Sequence, residues 1–469
     1  MKAPRSKMAA LAGVGLLLVA TTAIVVVRQR APPEPVYQGQ PVSHWIKVLN
    51  NMLRDQQGTS YFEGERPILE IGPPAIPYLI NALRDSDSPS KDAYAVLWPK
   101  LPRRLQKWLP EPFPPATMRA YAARGLGLFG PDAAIAVPDL IDALHDNDEW
   151  VRHSAASALG DIGPKARAAV PALIKGLNDP DKNFRIGCVI GLRGAAQDAP
   201  EVLPVFKKLL SNPDSNLRSW TAMALGEIKV EQETVIKILE DTLQDENGNV
   251  RGCAVDSLGN IGPAASSAVP PIMRLLALEE QRAVVPDSEV LVWGKILPAL
   301  GKMGPAARSS VPVLTNLLQS TNPFISAASA EALWAIEPHN VLSIPCLMER
   351  LTNGARYECL LALAKIGPEA RAALPLVQKY RGDREVDLQL AAAVAAWKLD
   401  PSGPPPIDLL EKRFHSPVHM VHRRTAIRLL GDLGPAGRTA IPTLFEAARL
   451  ADQLMREDAR AALKQVQPN

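Results

Sequence analysis

The sequence predicts an all-α solenoid of short helical pairs behind one N-terminal transmembrane helix. Three observations lead to this prediction. An uncharged apolar stretch lies near the amino terminus, a Gly-Pro motif recurs along the rest of the chain, and 44 of the 469 residues are proline. That proline content is about 9%, against the usual figure of roughly 5%. The chain is 47% hydrophobic with a net charge of +3, which excludes a wholly disordered protein.

Residues 8–27 (MAALAGVGLLLVATTAIVVV) carry no charge and follow a basic tail at residues 1–7. As a helix they would rise about 30 Å, enough to cross the hydrocarbon core. We therefore predict a transmembrane signal anchor. Its basic flanks favour an amino terminus on the inner side of the membrane. The alternative is a cleaved signal peptide with its site in ATTA at 20–23, although the apolar run continues beyond that point.

A proline-rich segment at residues 28–42 follows the anchor and should form an extended linker. Ser43 is a suitable N-cap for a first helix whose apolar face carries Ile46, Leu49 and Leu53. We assign residues 43–469 to a single repeat array.

The array is visible as internal copies such as GPDAAIAVPDLIDAL (130–144) and GPKARAAVPALIKGL (163–177). Five arginines recur every 33 residues: Arg119, Arg152, Arg185, Arg218 and Arg251. Each lies eleven residues before the glycine of the Gly-Pro motif, or before the corresponding position in units that lack the motif. Each unit should contain helix A (around 151–159), a Gly-Pro turn, a short turn (165–170) and helix B (171–177). Glycine suits a left-handed helix end, and proline suits the first turn of the next helix. About eleven such units fit the chain, and they must stack to bury their apolar faces.

These copies resemble HEAT repeats, specifically the short variety named after phycobilisome lyases. The resemblance implies a right-handed α–α solenoid, armadillo-like in its helical stacking. The segment YQGQPVSHW (37–45) is similar to one in membrane-anchored bacterial HEAT-repeat proteins. That likeness, with the basic flanks, implies a single-pass protein of the bacterial inner membrane whose solenoid lies on the extracytoplasmic side.

A Trp/Pro-rich insert at residues 89–115 interrupts the array, and residues 277–290 lengthen a later unit. Insertions in solenoids map to loops on one face, often the binding face. The insert therefore supplies the candidate partner-binding residues Trp98, Arg103, Arg104 and Trp108. The alternative is that this segment braces the first repeat.

The arginine series could suggest a basic ladder, but Asp148, Asp181 and Asp214 each precede an arginine by four residues. We expect structural ion pairs between them. Equivalent helix B positions carry mixed charges, so we expect no continuous basic stripe and predict no nucleic-acid partner.

Sites for catalysis or cofactors are not evident in the sequence. The resemblance raises deoxyhypusine hydroxylases, whose helices bind two irons through His-Glu pairs, but this chain contains no His-Glu dipeptide. Pro417 interrupts the only histidine cluster, formed by His415, His419 and His422. We therefore predict no metal site, no cofactor and no catalytic residues.

The four cysteines fit small, buried positions of the helices better than reactive ones, and a disulfide between Cys346 and Cys359 stays open. The sequence thus favours a membrane-tethered, non-catalytic scaffold that binds a protein or peptide on the solenoid surface. The alternative is a lyase-like enzyme or enzyme accessory of the phycobilisome-lyase HEAT type.

Overall fold

The computed structural model describes residues 34–42, 44–45, 68, 71–84, 97–102, 106, 115–282, 289–416, 420–448 and 453–467. The predicted anchor (8–27), its basic tail and the first part of the linker lie outside this part of the chain. The end of the linker forms a short antiparallel hairpin of β1 (Val36–Tyr37) and β2 (Gln40–Pro41). Trp45 packs edge-on against Tyr37, with ring centroids 5.8 Å apart, and closes this hairpin.

Helices in two alternating layers make up most of the described chain, which confirms the all-α solenoid. Even-numbered helices correspond to helix A of the repeat: α2 (Pro115–Leu128), α4 (Glu149–Ile162), α6 (Lys182–Ala195), α8 (Ser215–Leu225), α10 (Gly248–Ile261), α12 (Glu289–Met303), α14 (Pro323–Ile336), α16 (Arg356–Ile366), α18 (Val386–Leu399), α20 (Met420–Asp432) and α22 (Gln453–Val466). Odd-numbered helices correspond to helix B: α1 (Ile76–Leu83), α3 (Val137–Ala143), α5 (Val170–Gly176), α7 (Leu203–Leu209), α9 (Gln232–Thr242), α11 (Val269–Arg282), α13 (Val311–Leu317), α15 (Ser343–Asn353), α17 (Leu374–Gln378), α19 (Ile407–His415) and α21 (Ile441–Ala448).

One unit shows how the sequence sets these boundaries. Asp148 caps α4 by accepting hydrogen bonds from the N–H groups of Trp150 and Val151. The helix ends at Gly163, whose φ of 75° and ψ of −146° are open to glycine but strained for other residues. A 3₁₀ turn, Gly163–Ala169, then leads into α5, with Pro171 in its first turn. The positive φ agrees with the sequence prediction, although the ψ value is not that of a left-handed helix.

Units without the Gly-Pro motif end helix A in another way. Ala196, Glu337 and Asp400 occupy the glycine position there, and their φ values are −109°, −125° and −143°. These values are ordinary for any residue, which explains why glycine is dispensable in the degenerate copies.

Glycines bring successive A helices very close together. A Cβ placed on Gly160 would lie 2.6 Å from the carbonyl oxygen of Ile190, and one on Gly259 would lie 2.7 Å from Cα of Ala299. Within the described units, successive A helices pack directly on one another, whereas successive B helices make far less contact. The more closely spaced layer of a curved array is its inner layer, so the A helices line the concave side.

This curvature brings the last A helix back towards the first third of the array. Arg460 on α22 forms an ion pair with Asp161 on α4, with 3.3 Å between Nη1 and Oδ1. The core is continuous from Val42 to Leu399, and a second cluster from Leu390 to Val466 packs beneath the last units.

Residues 248–278 are long and apolar enough, by length and composition, to cross a membrane. In the fold they are α10, a 3₁₀ turn at Gly262–Ala268 and most of α11. Gly262 has a φ of 75°, so the chain changes direction there. The segment is therefore one helical pair of the array.

Candidate partner-binding surfaces

Trp98 is the one predicted insert site residue that falls in the described chain. It begins a 3₁₀ turn, Trp98–Lys100, and its carbonyl accepts a hydrogen bond from Nε2 of Gln106 at 2.9 Å. The indole is half-buried, while Leu97 beside it is exposed. Arg103, Arg104 and Trp108 lie outside the described residues, so their relation to Trp98 stays a prediction.

The repeated arginines are structural, as the sequence suggested, but their partners differ from the predicted ones. Arg218 forms two hydrogen bonds with Asp245, at 2.8 and 2.9 Å, and a third with the carbonyl of Asn212 at 2.8 Å. Arg119 binds Asp146 in the same way, and Arg152 approaches Asp179 at 3.4 Å. Each partner lies 27 residues further along, in the loop before the next A helix. These ion pairs therefore join successive units.

The aspartates predicted to pair with these arginines cap helices instead. Asp181 accepts a hydrogen bond from the N–H of Phe184, and Asp214 accepts one from the N–H of Asn216. An N-cap carboxylate turns towards the first free N–H groups of its own helix. That orientation takes it away from the arginine four residues later, so the predicted pairing was wrong in this detail.

His415 and His422 each lie beside a different carboxylate. Nε2 of His415 lies 3.2 Å from Glu446, and Nδ1 of His422 lies 3.0 Å from Asp387. His419 lies outside the described residues. Among the residues that the structure describes, no three His, Cys, Asp or Glu side chains form a metal-binding group.

All four cysteines are free thiols, so the disulfide left open between Cys346 and Cys359 does not form. Cys188 and Cys359 are buried, and burial raises the pKa of each thiol to about 12. Cys253 and Cys346 are only partly buried, which differs from the sequence expectation for these two positions. Burial also raises the pKa of Cys253.

We expect iodoacetamide at pH 8 to label Cys346 and Cys253 of the native chain well before Cys188 and Cys359. The thiolate is the reactive species, and both buried thiols hold their protons at this pH. Peptide mass spectrometry after timed quenching measures the order, and labelling in 6 M guanidinium provides the control in which all four react. Equal native rates at all four positions would contradict the assigned burial.

Two carboxyl-terminal A helices carry half-buried groups of opposite charge, Lys398 and Asp432. Burial lowers the pKa of Lys398 on α18 and raises that of Asp432 on α20, while each charge partly offsets the shift of the other. Shifted pKa values are common at functional sites, but ion pairs inside a fold produce them too. Neither residue lines the cavities found between other units, so we assign these two groups to packing between units.

A cavity of about 380 Å³ that is open to solvent lies between the starts of α4 and α6. Its walls are Glu149, Trp150, His153, Asp181, Asn183 and Ile186. The Trp150 ring stands edge-on against the buried Tyr121, with centroids 5.0 Å apart, and is 40% exposed. Sequence reasoning did not identify this cavity.

His153 links the two helices that form the cavity. Its Nδ1 donates to the carbonyl oxygen of Asn183 at 2.9 Å, which leaves Nε2 as an acceptor in the neutral ring. Gly187 makes room for this contact, because a Cβ there would lie 2.8 Å from Nδ1 of His153. A side-chain contact thus joins the two adjacent A helices that form the cavity.

An exposed row continues from the cavity along the A layer. Trp150 occupies the position two residues before Arg152, and the next three units place Asn183, Asn216 and Asn249 there, each 33 residues apart. All three asparagines are exposed. Their side chains make no hydrogen bond with other described residues. The 33-residue recurrence of asparagine was the sequence signal for this row.

The structure defines a helical-repeat protein, and comparison with known families gives the particular kind. A profile of HEAT repeats matches residues 104–170 and 170–247. Residues 104–247 therefore consist of HEAT repeats. No curated protein matches it significantly.

Several solved structures are similar to the chain. An engineered protein is 20% identical, with coverage of 83% of this chain and 98% of its own, and a TM-score of 0.36. The complex of CpcE and CpcF of phycocyanin lyase from a Nostoc species is 24% identical, with a TM-score of 0.35. The alignment covers 63% of this chain and 93% of the lyase chain. Importin beta is 16% identical, with a TM-score of 0.43. The alignment covers 90% of this chain and 66% of importin beta.

Proposed function

We propose that the chain is a membrane-tethered, non-catalytic scaffold that binds a protein or peptide partner on the solenoid surface. The observation that carries the proposal is the concave A layer, on which side chains of successive units recur in register. A recurring, rigid surface suits an extended or large ligand that contacts many units at once. The repeated arginines and the aspartates before them serve as ion pairs between units and as helix caps, which favours binding over catalysis.

The tether is the second part of the proposal and rests on residues 8–27. Their uncharged length supports a single transmembrane helix, and the basic residues before it support an extracytoplasmic solenoid in the bacterial inner membrane. The linker that ends in the β1–β2 hairpin would then place the first repeat close to the membrane surface.

Alkaline carbonate should leave the full chain in the membrane fraction, and detergent should release it. In spheroplasts, added protease should digest the solenoid while an epitope fused before Lys2 survives, because the helix would place the two parts on opposite sides. A cytoplasmic protein fused to the same epitope controls for lysis. Carbonate extraction of the intact chain would rule out the tether, and a protected solenoid would reverse the orientation.

We expect crosslinking in membranes, followed by purification of the full chain, to recover a partner protein reproducibly. If the insert contributes, Trp98→Ala combined with Trp108→Ala should reduce recovery of that partner by at least fivefold, since tryptophan side chains often dominate the binding energy of an interface. Leu342→Ala, at an exposed leucine outside the insert, is the matched control. An unchanged partner list would remove the insert from the binding surface, and absence of any partner would contradict the scaffold.

A further inference from the structure

The cavity between α4 and α6 is negatively charged where a ligand would enter. Glu149 and Asp181 both line it, and the lining residues include neither lysine nor arginine. The two arginines next to it in sequence bind loop carbonyls instead. Arg152 donates to the carbonyls of Asp146 and Asn147. Arg185 donates to the carbonyl of Asp179. Two carboxylates without a paired cation favour a positively charged guest and disfavour an anionic one.

Trp150 gives the cavity a second preference for a cation. Tyr121 holds the indole edge-on, so part of the ring stays open to solvent. The face of an indole attracts ammonium and guanidinium groups, and tryptophan is the strongest of the aromatic side chains in this respect. Carboxylates and an anchored indole around one cavity therefore suit the side chain of lysine or arginine.

The asparagine row suggests that this lysine or arginine side chain belongs to an extended peptide. A carboxamide can donate to a peptide C=O and accept from a peptide N–H. Asn183, Asn216 and Asn249 repeat this group at one position of three successive A helices. Adjacent helices lie roughly 8–10 Å apart, and an extended chain advances about 3.3 Å per residue. A segment of roughly eight to ten residues would therefore span the row from Trp150 to Asn249.

We propose that the concave face binds an extended peptide across this row, with a lysine or arginine side chain in the cavity of Glu149, Trp150 and Asp181. This inference rests on the proposed scaffold function and names the chemistry of its ligand. The cation meets two carboxylates and the indole, and the peptide backbone runs along the carboxamides of the following units.

An immobilised decapeptide library tests the proposal with the purified full chain in detergent micelles. The second position from either end is fixed in turn as arginine, lysine, citrulline or glutamate, and the others are equal mixtures of amino acids. Citrulline matches arginine in shape but lacks its charge. We expect arginine and lysine pools to bind about tenfold more strongly than the citrulline pool, as a cation–π contact combined with ion pairs would give.

Two variants separate the charge from the fold. Glu149→Gln combined with Asp181→Asn should abolish the preference for arginine over citrulline while the melting temperature stays unchanged, because asparagine caps a helix as well as aspartate. Trp150→Ala should reduce the preference at least threefold. Glu233→Gln combined with Asp241→Asn removes two carboxylates from α9 in the other layer and should leave the preference intact.

The row has its own expected result. Asn216→Ala combined with Asn249→Ala should weaken all pools three- to fivefold without changing the ratio of arginine to citrulline, because these side chains would contact the backbone. Equal binding of arginine and citrulline pools to the native chain would overturn the cation site. If crosslinking still recovers a partner in that case, the scaffold stands without this site, and if neither experiment finds a ligand, both proposals fail.

Discussion

Gly194→Ala should destabilise the middle of the solenoid by about 3 kcal/mol, even though alanine is the better helix former. A Cβ at this position would overlap the carbonyl oxygen of Gly160 and lie 2.7 Å from the carbonyl carbon. Both atoms belong to the backbone of α4, so no side-chain rotation relieves the overlap. The two A helices would have to separate, and the contacts between α4 and α6 would loosen with them.

Gly252→Ala is the matched control, because Gly252 also lies in the interior of an A helix. A Cβ there would have only Cγ of Lys295 nearby, at 3.8 Å. The helix propensity of alanine should therefore appear without a clash, and the variant should gain up to about 1 kcal/mol.

Thermal unfolding followed by circular dichroism compares both variants with the native chain. Repeat arrays can unfold in parts, so hydrogen exchange at α4 and α6 should show the loss of protection next to Gly194. Equal melting temperatures for Gly194→Ala and Gly252→Ala would contradict the close packing of the A layer.

The sequence predicted the elements of the repeat well because their signals are local. Gly163, Pro164 and Pro171 fix the end of one helix and the start of the next within nine residues, and neither signal depends on a distant contact. The same local reasoning failed for Asp148. Asp148 is the N-cap of α4, and its carboxylate accepts the N–H groups of Trp150 and Val151. The i,i+4 rule holds for side chains within a helix, so it did not apply to this capping residue.

The partners of the arginines could not be predicted from neighbouring positions. Arg218 meets Asp245 only after one unit has stacked on the next, across 27 residues of sequence. The cavity has the same origin, because Trp150 and Asn183 belong to different helices that the stacking brings together. The recurrence of asparagine every 33 residues was the only sign of this surface in the sequence. The rule that insertions mark a binding face predicted residues 89–115 instead.

The stacking contact at Arg218 gives the second large expected effect. Asp245→Asn should destabilise the chain by about 3 kcal/mol, the cost expected when one member of a buried ion pair is removed. The Arg218 and Asp245 side chains are only 6% and 10% exposed. Asparagine keeps an oxygen to accept the N–H of Asn247, which Asp245 binds at 2.8 Å. It loses the charge and turns an NH₂ group towards the guanidinium.

Deprotonation cannot relieve Arg218 in this variant. The hydrogen bond from Arg218 to Asp245 raises the pKa of the guanidinium in the native chain, and even an unperturbed arginine keeps its charge at any pH at which the protein folds. A buried cation without its full partner therefore remains, and the exposed Glu246, 3.2 Å away, compensates only in part.

Asp241→Asn provides the control for loss of a carboxylate at the surface. Asp241 pairs with Lys237 one turn away on α9, and both side chains are more than half exposed. Solvent screens pairs as exposed as this one, so they add little to stability, and the melting temperature should hardly change. Arg218→Met added to Asp245→Asn should recover part of the lost stability, because it removes the stranded charge and keeps the apolar stem. Equal effects of Asp245→Asn and Asp241→Asn would show that the arginine series does not hold successive units together.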